Sequence, residues 1–550
     1  MRTLLKSILA ILSVATIWLI VPAQPQAAPA DRNVATVAAE IDRLINAKLA
    51  EAKIPASPLA DDAEFCRRVS LDIRGRIPTP ERVAAFLADS DPYKRAKLID
   101  EFLADAEYGE HFGTIWYHKM VKPDDDNRFL ISDTLAHWLA DRFNKNEAWS
   151  KIVTEILTAD GMRDKNPATV FWLANVGMDK DKHPEPNKIT AAASHLFLGV
   201  KLECCECHNH PFATLKQTDF WGVAAFFGQV HSDNATKKDA KAGVIPGIHE
   251  GGALKGKAAK AAGEKAPAGA IVIPDTKGKT VKAQYLLGSE APLSGKAQLR
   301  PVFAAWATSA NNPFFARAAV NKWWANFFGR GIVSPVDDMR AESKNSHPQL
   351  LDYLAKEFAG SGFDLKHLIR CICNSQTYQR SSRPVSGNKE DEELYSHAAV
   401  RMMTADMLYD SLAVALSHAP ADKLAKGGNK AAKKFGEAGP RGEFRKFFHT
   451  EADDDASAVA DYAHGIPQVL RLMNSTQMNN TTAVVGKLLK ADPAPAKVTE
   501  QLYLRVLSRR PTETEVKKAT AYVQGEKDIA RGYGDLMWAL LNSAEFMFNH

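Results

Sequence analysis

Apolar residues recur at helical spacing through most of this chain, and this periodicity constrains the fold more than any other feature. Between Val34 and Ile54, for example, valine, isoleucine and leucine residues return every three or four positions, as on the buried face of an amphipathic helix. Residues 236–270 interrupt the pattern, because they are mostly Ala, Gly and Lys and carry too little apolar surface to fold alone. The sequence therefore predicts a mainly α-helical protein with two helical domains joined by a low-complexity linker.

The linker is expected to end in a small β-hairpin. Residues 270–274 and 280–283 contain β-branched residues and flank the turn Asp275-Thr276-Lys277-Gly278, a pattern typical of two paired strands. The chain is thus divided into four predicted regions: a signal peptide at 1–30, a helical domain at 31–234, the linker with its hairpin at 235–299, and a second helical domain at 300–550.

The first 30 residues have the features of a secretory signal peptide. Arg2 and Lys6 precede an apolar or small stretch from Ile8 to Val21, and small residues follow where a signal peptidase can cut. The apolar stretch is short for a membrane span, and no later window is apolar enough to be one. We expect an exported protein, periplasmic or extracellular, with no integral span after cleavage; retention as an uncleaved anchor is the alternative.

The segment Cys204-Cys205-Glu206-Cys207-His208 carries the clearest chemical signal. It has the C-x-x-C-H spacing of c-type haem attachment. Cys204 and Cys207 would form thioethers with the two vinyl groups of a porphyrin, and His208 would be the proximal iron ligand. Haem c is attached on the exported side of bacterial membranes, in agreement with the signal peptide. We therefore expect haem c and a role in electron transfer or a haem-dependent redox reaction.

Two other chemistries fit the same residues. A zinc ion could be bound with His210 as the fourth ligand, although adjacent residues such as Cys207 and His208 seldom chelate one tetrahedral ion. In an oxidising compartment Cys204 and Cys207 could instead form a disulfide. Either alternative would describe a non-enzymatic secreted or cell-surface protein that acts in binding or as a scaffold.

Residues after the motif have two interpretations each. Pro211 forces His210 into extended geometry, which places it on the same side as His208. His210 would then line the cofactor pocket, or hold the turn through a backbone hydrogen bond. Four aromatic residues would contact a porphyrin or fill the core: Phe212, Trp221, Phe226 and Phe227.

The sequence does not identify a distal iron ligand. His118, His195 and Met178 are candidates without a distinguishing context. The extra Cys205 leaves open which thiols would bond to haem. The other cysteines, Cys66, Cys371 and Cys373, lie in apolar helical patterns and are expected to be buried.

Composition and motifs exclude several classes. A net charge of +5 over 550 residues is weak, and no basic stripe with aromatic residues is present, so nucleic acid is not an expected partner. Nucleotide-binding, metalloprotease and serine-hydrolase motifs are missing, and the sequence leaves open whether the protein is an enzyme. A redox protein or a polysaccharide is the expected partner. One set of polar and aromatic residues would either line a polysaccharide-binding groove or pack in the core: Arg317, Asn321, Trp323, Trp324, Arg330 and His347.

Several sequence blocks resemble two known families. The blocks Arg68–Gly75, Pro78–Glu81 and Cys204–Phe212 resemble the planctomycete cytochrome-c-type domain, which occurs in large secreted bacterial proteins. The C-terminal half is similar to the planctomycete-specific domain of unknown function that habitually follows it. Its matching blocks are 312–317, 320–324, 328–333, 346–352, 375–382 and 541–546. The resemblance implies the order of the two domains and a haem-like motif, but no particular activity.

Overall fold

The computed structural model describes residues 34–122, 131–175, 186–233, 237–251, 269–274, 276, 278–293, 298–340, 343–417, 440–448 and 481–550. The predicted signal peptide, residues 252–268 of the predicted linker and Met178 lie outside these ranges. Among the helices within them, none combines the length and the apolar character needed to cross a bilayer. The described residues belong to one compact unit.

Helices joined by turns make up most of the N-terminal part. The turn at Thr79 and Pro80 begins a helix as the sequence predicts, since the Thr79 side chain accepts a hydrogen bond from the amide of Arg82 and Pro80 occupies the first turn. The α-helices are α1 Val34–Ala52, α2 Asp62–Arg74, α3 Pro80–Ala88, α4 Lys94–Ala104, α5 Ala106–Met120, α6 Thr134–Asn144, α7 Trp149–Leu157, α8 Thr169–Asn175, α9 Pro186–Ala193, α10 Gln217–Ala224 and α11 Lys237–Lys241.

The C-terminal part is also helical, which confirms the prediction of a mainly α fold with a small β-hairpin. Its α-helices are α12 Leu299–Ala307, α13 Phe315–Phe328, α14 Pro348–Gly360, α15 Leu365–Asn374, α16 Gln376–Gln379, α17 Ala405–Ala415, α18 Pro440–Phe448, α19 Thr482–Ala491, α20 Pro495–Leu507, α21 Glu513–Gly525, α22 Ile529–Leu541 and α23 Ala544–Met547.

The strands are short, and all their described pairings are antiparallel. The predicted hairpin is present, with Ile271 opposite Val281. A three-stranded sheet has the order β1-β3-β2, and the other strands form two-stranded pairs, β4 with β5, β6 with β7 and β8 with β9. The strands are β1 Gly161–Met162, β2 Val230–Asp233, β3 Gly247–Glu250, β4 Ala270–Val272, β5 Thr280–Lys282, β6 Val333–Ser334, β7 Lys344–Asn345, β8 Arg401–Met402 and β9 Phe548–Asn549.

One hydrophobic core contains residues from both parts of the chain. Trp323 of α13 is buried, and its ring centroid lies 4.6 Å from that of Phe112 and 6.0 Å from that of Trp116, both on α5. Trp324 is fully buried and stacks on Phe328 at 4.1 Å. The two tryptophans therefore fill the core, which confirms the packing interpretation of these residues.

Charged residues of α2 connect the two parts as well. Arg68 donates hydrogen bonds to the carbonyl oxygens of Tyr378 and Arg380, each at 2.8 Å, and to Glu64 at 2.6 Å. Asp72 accepts hydrogen bonds from the Tyr378 hydroxyl at 2.8 Å and from Arg401 at 2.7 Å. Arg68 and Asp72 are buried, so their partners replace the water that a charge would otherwise require.

Replacing Arg68 by Met should destabilise the protein by roughly 3–5 kcal/mol, because Glu64 would remain buried without its cationic partner. Urea unfolding at pH 7.5 measures the change.

Arg317→Gln is the matched control. Arg317 pairs with Asp352 at the surface, and breaking an exposed pair costs about 1 kcal/mol or less. Equal destabilisation by the two substitutions would contradict a special role for the buried pair.

Candidate functional site

The C-x-x-C-H motif follows a helix that changes its hydrogen-bonding pattern. Helix α9 continues as a π-helical turn, Ser194–Leu198, which ends at Gly199 in the left-handed conformation with φ of 66°. A Cβ atom at Gly199 would lie 2.7 Å from Cγ of Met339, so glycine allows this close approach. The sequence predicts a helix over Asn187–Val200, but the π turn is visible only in the structure.

The three cysteines of the motif have different environments. Cys204 lies on a short 3₁₀ turn, Glu203–Cys205, and is exposed; Cys207 follows the turn and is also exposed. Cys205 is buried, and burial raises the pKa of its thiol. The solvent-facing thiols are thus the two with C-x-x-C spacing, and all three are free.

The remaining cysteines are buried free thiols. Cys66, Cys371 and Cys373 are each at most 1% exposed. Burial raises the pKa of Cys66 and of Cys371 to about 12, so both thiols are protonated and unreactive at neutral pH. The prediction that they are small core residues is confirmed.

Side chains of helix α10 donate hydrogen bonds to the backbone of the motif. The indole of Trp221 donates a hydrogen bond to the carbonyl oxygen of Glu206 at 2.9 Å. The side-chain amide of Gln217 donates to the carbonyl oxygen of Cys207, also at 2.9 Å. Asn187 of α9 donates to the Glu206 carboxylate at 2.8 Å. These bonds fix the backbone between the two exposed thiols.

His208 is exposed, and its ring is oriented by the adjacent peptide. Nδ1 lies 2.8 Å from the carbonyl oxygen of Asn209. Since a carbonyl oxygen only accepts, Nδ1 carries the proton and Nε2 keeps its lone pair. Metal-binding histidines commonly have this arrangement, with one nitrogen donating to a carbonyl and the other binding the metal.

His210 is engaged on both sides of its ring. Nδ1 faces the backbone N–H of Phe212 at 3.1 Å, and Nε2 contacts Nη1 of Arg340. Its own amide donates to the carbonyl oxygen of Leu215 at 2.9 Å. His210 thus holds the turn, one of the two roles that the sequence left open. A neutral imidazole accepts a hydrogen bond at only one nitrogen, so the ring accepts from Phe212 or from Arg340 and not from both.

The aromatic residues near the motif separate into two groups. Trp221, Phe226 and Phe227 are at most 4% exposed and belong to the main core. Phe212 is 86% exposed. Of these four residues, only Phe212 is placed to contact a molecule bound at the surface.

His195 lies in a buried polar cluster that the sequence did not reveal. Its Nε2 is 3.2 Å from Oδ2 of Asp337, and the other oxygen of Asp337 contacts Nζ of Lys322. His118, the other described candidate for a distal ligand, lies 3.8 Å from Asp406. The signal for the cluster was the run Val336-Asp337-Asp338-Met339, which puts two carboxylates in an apolar context.

Within the described ranges, the structure contains no group of three or more His, Cys, Asp or Glu side chains arranged to hold a metal ion.

Two family models match the chain in the expected order. Residues 40–232 match PSCyt2, described as a protein of unknown function (DUF1549), and residues 299–523 match PSD1, described as a protein of unknown function (DUF1553). No curated protein and no solved structure matches the chain. The motif from Cys204 to His208 lies in the first segment, and Asp337, Asp338 and Arg340 lie in the second.

Lowering the pH from 7.5 to 5 should destabilise the protein through His195. Burial and the charge of Lys322 lower the pKa of His195 to about 4, from an ordinary value of 6.5. Between these values the unfolded chain binds a proton that the folded protein does not, so stability falls as the pH drops and this contribution levels off below pH 4. At roughly 1.4 kcal/mol per pKa unit, the loss at pH 5 is about 2 kcal/mol.

Urea unfolding of the wild type and His195→Gln at the two pH values measures this loss. Gln keeps a donor toward Asp337 but does not titrate, so the variant should lose about 2 kcal/mol less than the wild type. Burial also lowers the pKa of His111 and of His347 to about 4, but both residues are present in both proteins and cancel in the difference. An equal loss in wild type and variant would contradict the prediction.

Proposed function

We propose that this chain is an exported c-type haem protein of the planctomycete type that acts in electron transfer or a haem-dependent redox reaction. Cys204 and Cys207 would hold the porphyrin through thioethers, and His208 would be the proximal ligand. The observation that supports this most is that the side chains of all three are exposed on one short turn, while Cys205 is buried.

The exposure of the thiols matters because thioether formation adds each S–H across a vinyl group. Both sulfurs must therefore be reachable while the surrounding chain is folded or folding. Cys204 and Cys207 meet this condition, and the buried Cys205 does not. The extra cysteine in the motif is accordingly assigned to the core.

The orientation of His208 supports the same proposal. The hydrogen bond from Nδ1 to the carbonyl oxygen of Asn209 fixes the tautomer and leaves Nε2 as the ring nitrogen that faces away from this bond. A bound haem would supply one-electron redox chemistry at the surface. The chain's own contribution is to fix the ligand, the two thiols and the backbone between them.

The partner that fits best is a redox protein. A polysaccharide stacking on Trp323 or Trp324 would need at least one exposed indole, and both are buried. The turn with Cys207, His208 and Phe212 is exposed instead. Exposure at this turn gives a partner protein access to the proposed redox centre.

Expression of the full chain in a host that matures cytochromes c should give a red protein. The pyridine haemochrome should show an α band, and the haem should survive extraction with acidic acetone. Cys204→Ser and Cys207→Ser should each lose a thioether, which the haemochrome band position and the mass of the intact protein report. Cys205→Ala is the matched control and should keep both thioethers, because its thiol is buried.

A colourless protein in that host would contradict the proposal. A cross-link between Cys204 and Cys207, found by mass spectrometry, would then favour the binding or scaffold alternative with a stapled loop. About one equivalent of zinc, removed by a chelator, would instead identify a metal site.

A further inference from the structure

A short segment of the second family match contacts both ends of the C-x-x-C-H turn. The amide of Met339 donates a hydrogen bond to the carbonyl oxygen of Gly199 at 2.6 Å, before the turn. Arg340 contacts the ring of His210, after the turn. Residues 337–340 therefore bracket the turn from a position more than a hundred residues later in the chain.

Arg340, which makes the contact at the later end, belongs to an ordered ion pair with Asp338. Nε of Arg340 donates to Oδ1 of Asp338 at 2.6 Å, and Nη2 contacts Oδ2, so the guanidinium is held by two parallel bonds. Burial would raise the pKa of Asp338, but the hydrogen bonds and charge of Arg340 outweigh this and lower it. With two nitrogens fixed on Asp338, the third is directed at Nε2 of His210.

The segment itself is anchored in the protein interior. Asp337, next to Asp338, is buried against Lys322 of α13 and against His195, on the π turn that precedes the motif. The side chains of Asp337 and Lys322 are only 3% and 2% exposed. Buried contacts with Lys322 and His195 thus hold residue 337, and this restricts the neighbouring Asp338 and Arg340.

We propose that Asp338 and Arg340 are positioning residues for the C-x-x-C-H turn, so that the functional site is built from both family segments. Arg340 acts through His210, which is two residues after His208. The Asp338–Arg340 pair fixes the turn whether or not a cofactor is present. Only the effect on a redox potential rests on the proposed function.

Hydrogen exchange of the full-length protein tests the positioning role without any cofactor. In Arg340→Gln, exchange of amides in residues 208–216, including the His210 amide bonded to Leu215, should be about tenfold faster or more, because the Asp338–Arg340 pair and its contact with His210 are lost. Asp338→Asn should have the same effect in the same residues. Arg317→Gln, at the exposed pair with Asp352, should leave their exchange unchanged.

Arg340→Lys separates geometry from charge. Lysine keeps the positive charge but lacks the planar fork, so exchange in residues 208–216 should remain fast. Wild-type protection in Arg340→Lys, or in Arg340→Gln, would overturn the proposal. Should Arg340→Gln fail to fold, His210→Ala removes the same contact from the other side and must accelerate the same amides.

The haem-loaded protein gives a second measurement. Removing a cation near the turn disfavours the more negative, reduced state, so the midpoint potential should fall in Arg340→Gln and stay near the wild-type value in Arg340→Lys and Arg317→Gln. Fast exchange in a protein that never binds haem would support positioning and refute the proposed function. If haem is bound but exchange and potential are unchanged in Arg340→Gln, the proposed function is supported and the positioning role is refuted.

Discussion

The burial of charged side chains from α2 is the constraint on which the rest of this structure depends. Arg68 is satisfied by carbonyl oxygens 310 and 312 residues later in the chain, and Asp72 by a hydroxyl 306 residues later. A buried charge without such partners is strongly destabilising. The N-terminal helices are therefore complete only when the C-terminal part is folded against them, and the shared aromatic core around Trp323 has the same requirement.

The same packing of the C-terminal part against the N-terminal part positions the C-x-x-C-H turn. The turn itself is exposed and irregular, and local bonds from Trp221 and Gln217 fix only its middle. Its two ends depend on residues 337–340, which are anchored by the buried Asp337. An exposed segment on a rigid support is a common way to combine accessibility with defined geometry.

The sequence predicts the local features of this protein well, because their causes are local. The cap at Thr79 and Pro80, the hairpin of β4 and β5, and the burial of Cys66 and Cys371 follow from residues within a few positions. Periodicity shows which face of a helix is buried, but not what covers it. The packing of Trp323 on α5 and the contact of Arg340 with His210 join residues far apart in the sequence, so a single sequence does not predict them.

The dependence of α2 on distant residues also affects when the protein can fold. Arg67 donates to the carbonyl oxygen of Val506 at 3.3 Å and to that of Phe546 at 2.6 Å, and these acceptors do not exist until nearly all of the chain has been synthesised. Contacts of such high sequence separation slow folding and leave early segments exposed to aggregation. The nascent N-terminal helices should therefore remain loosely packed on the ribosome. Such a delay makes chaperones that bind unfolded segments important during its synthesis.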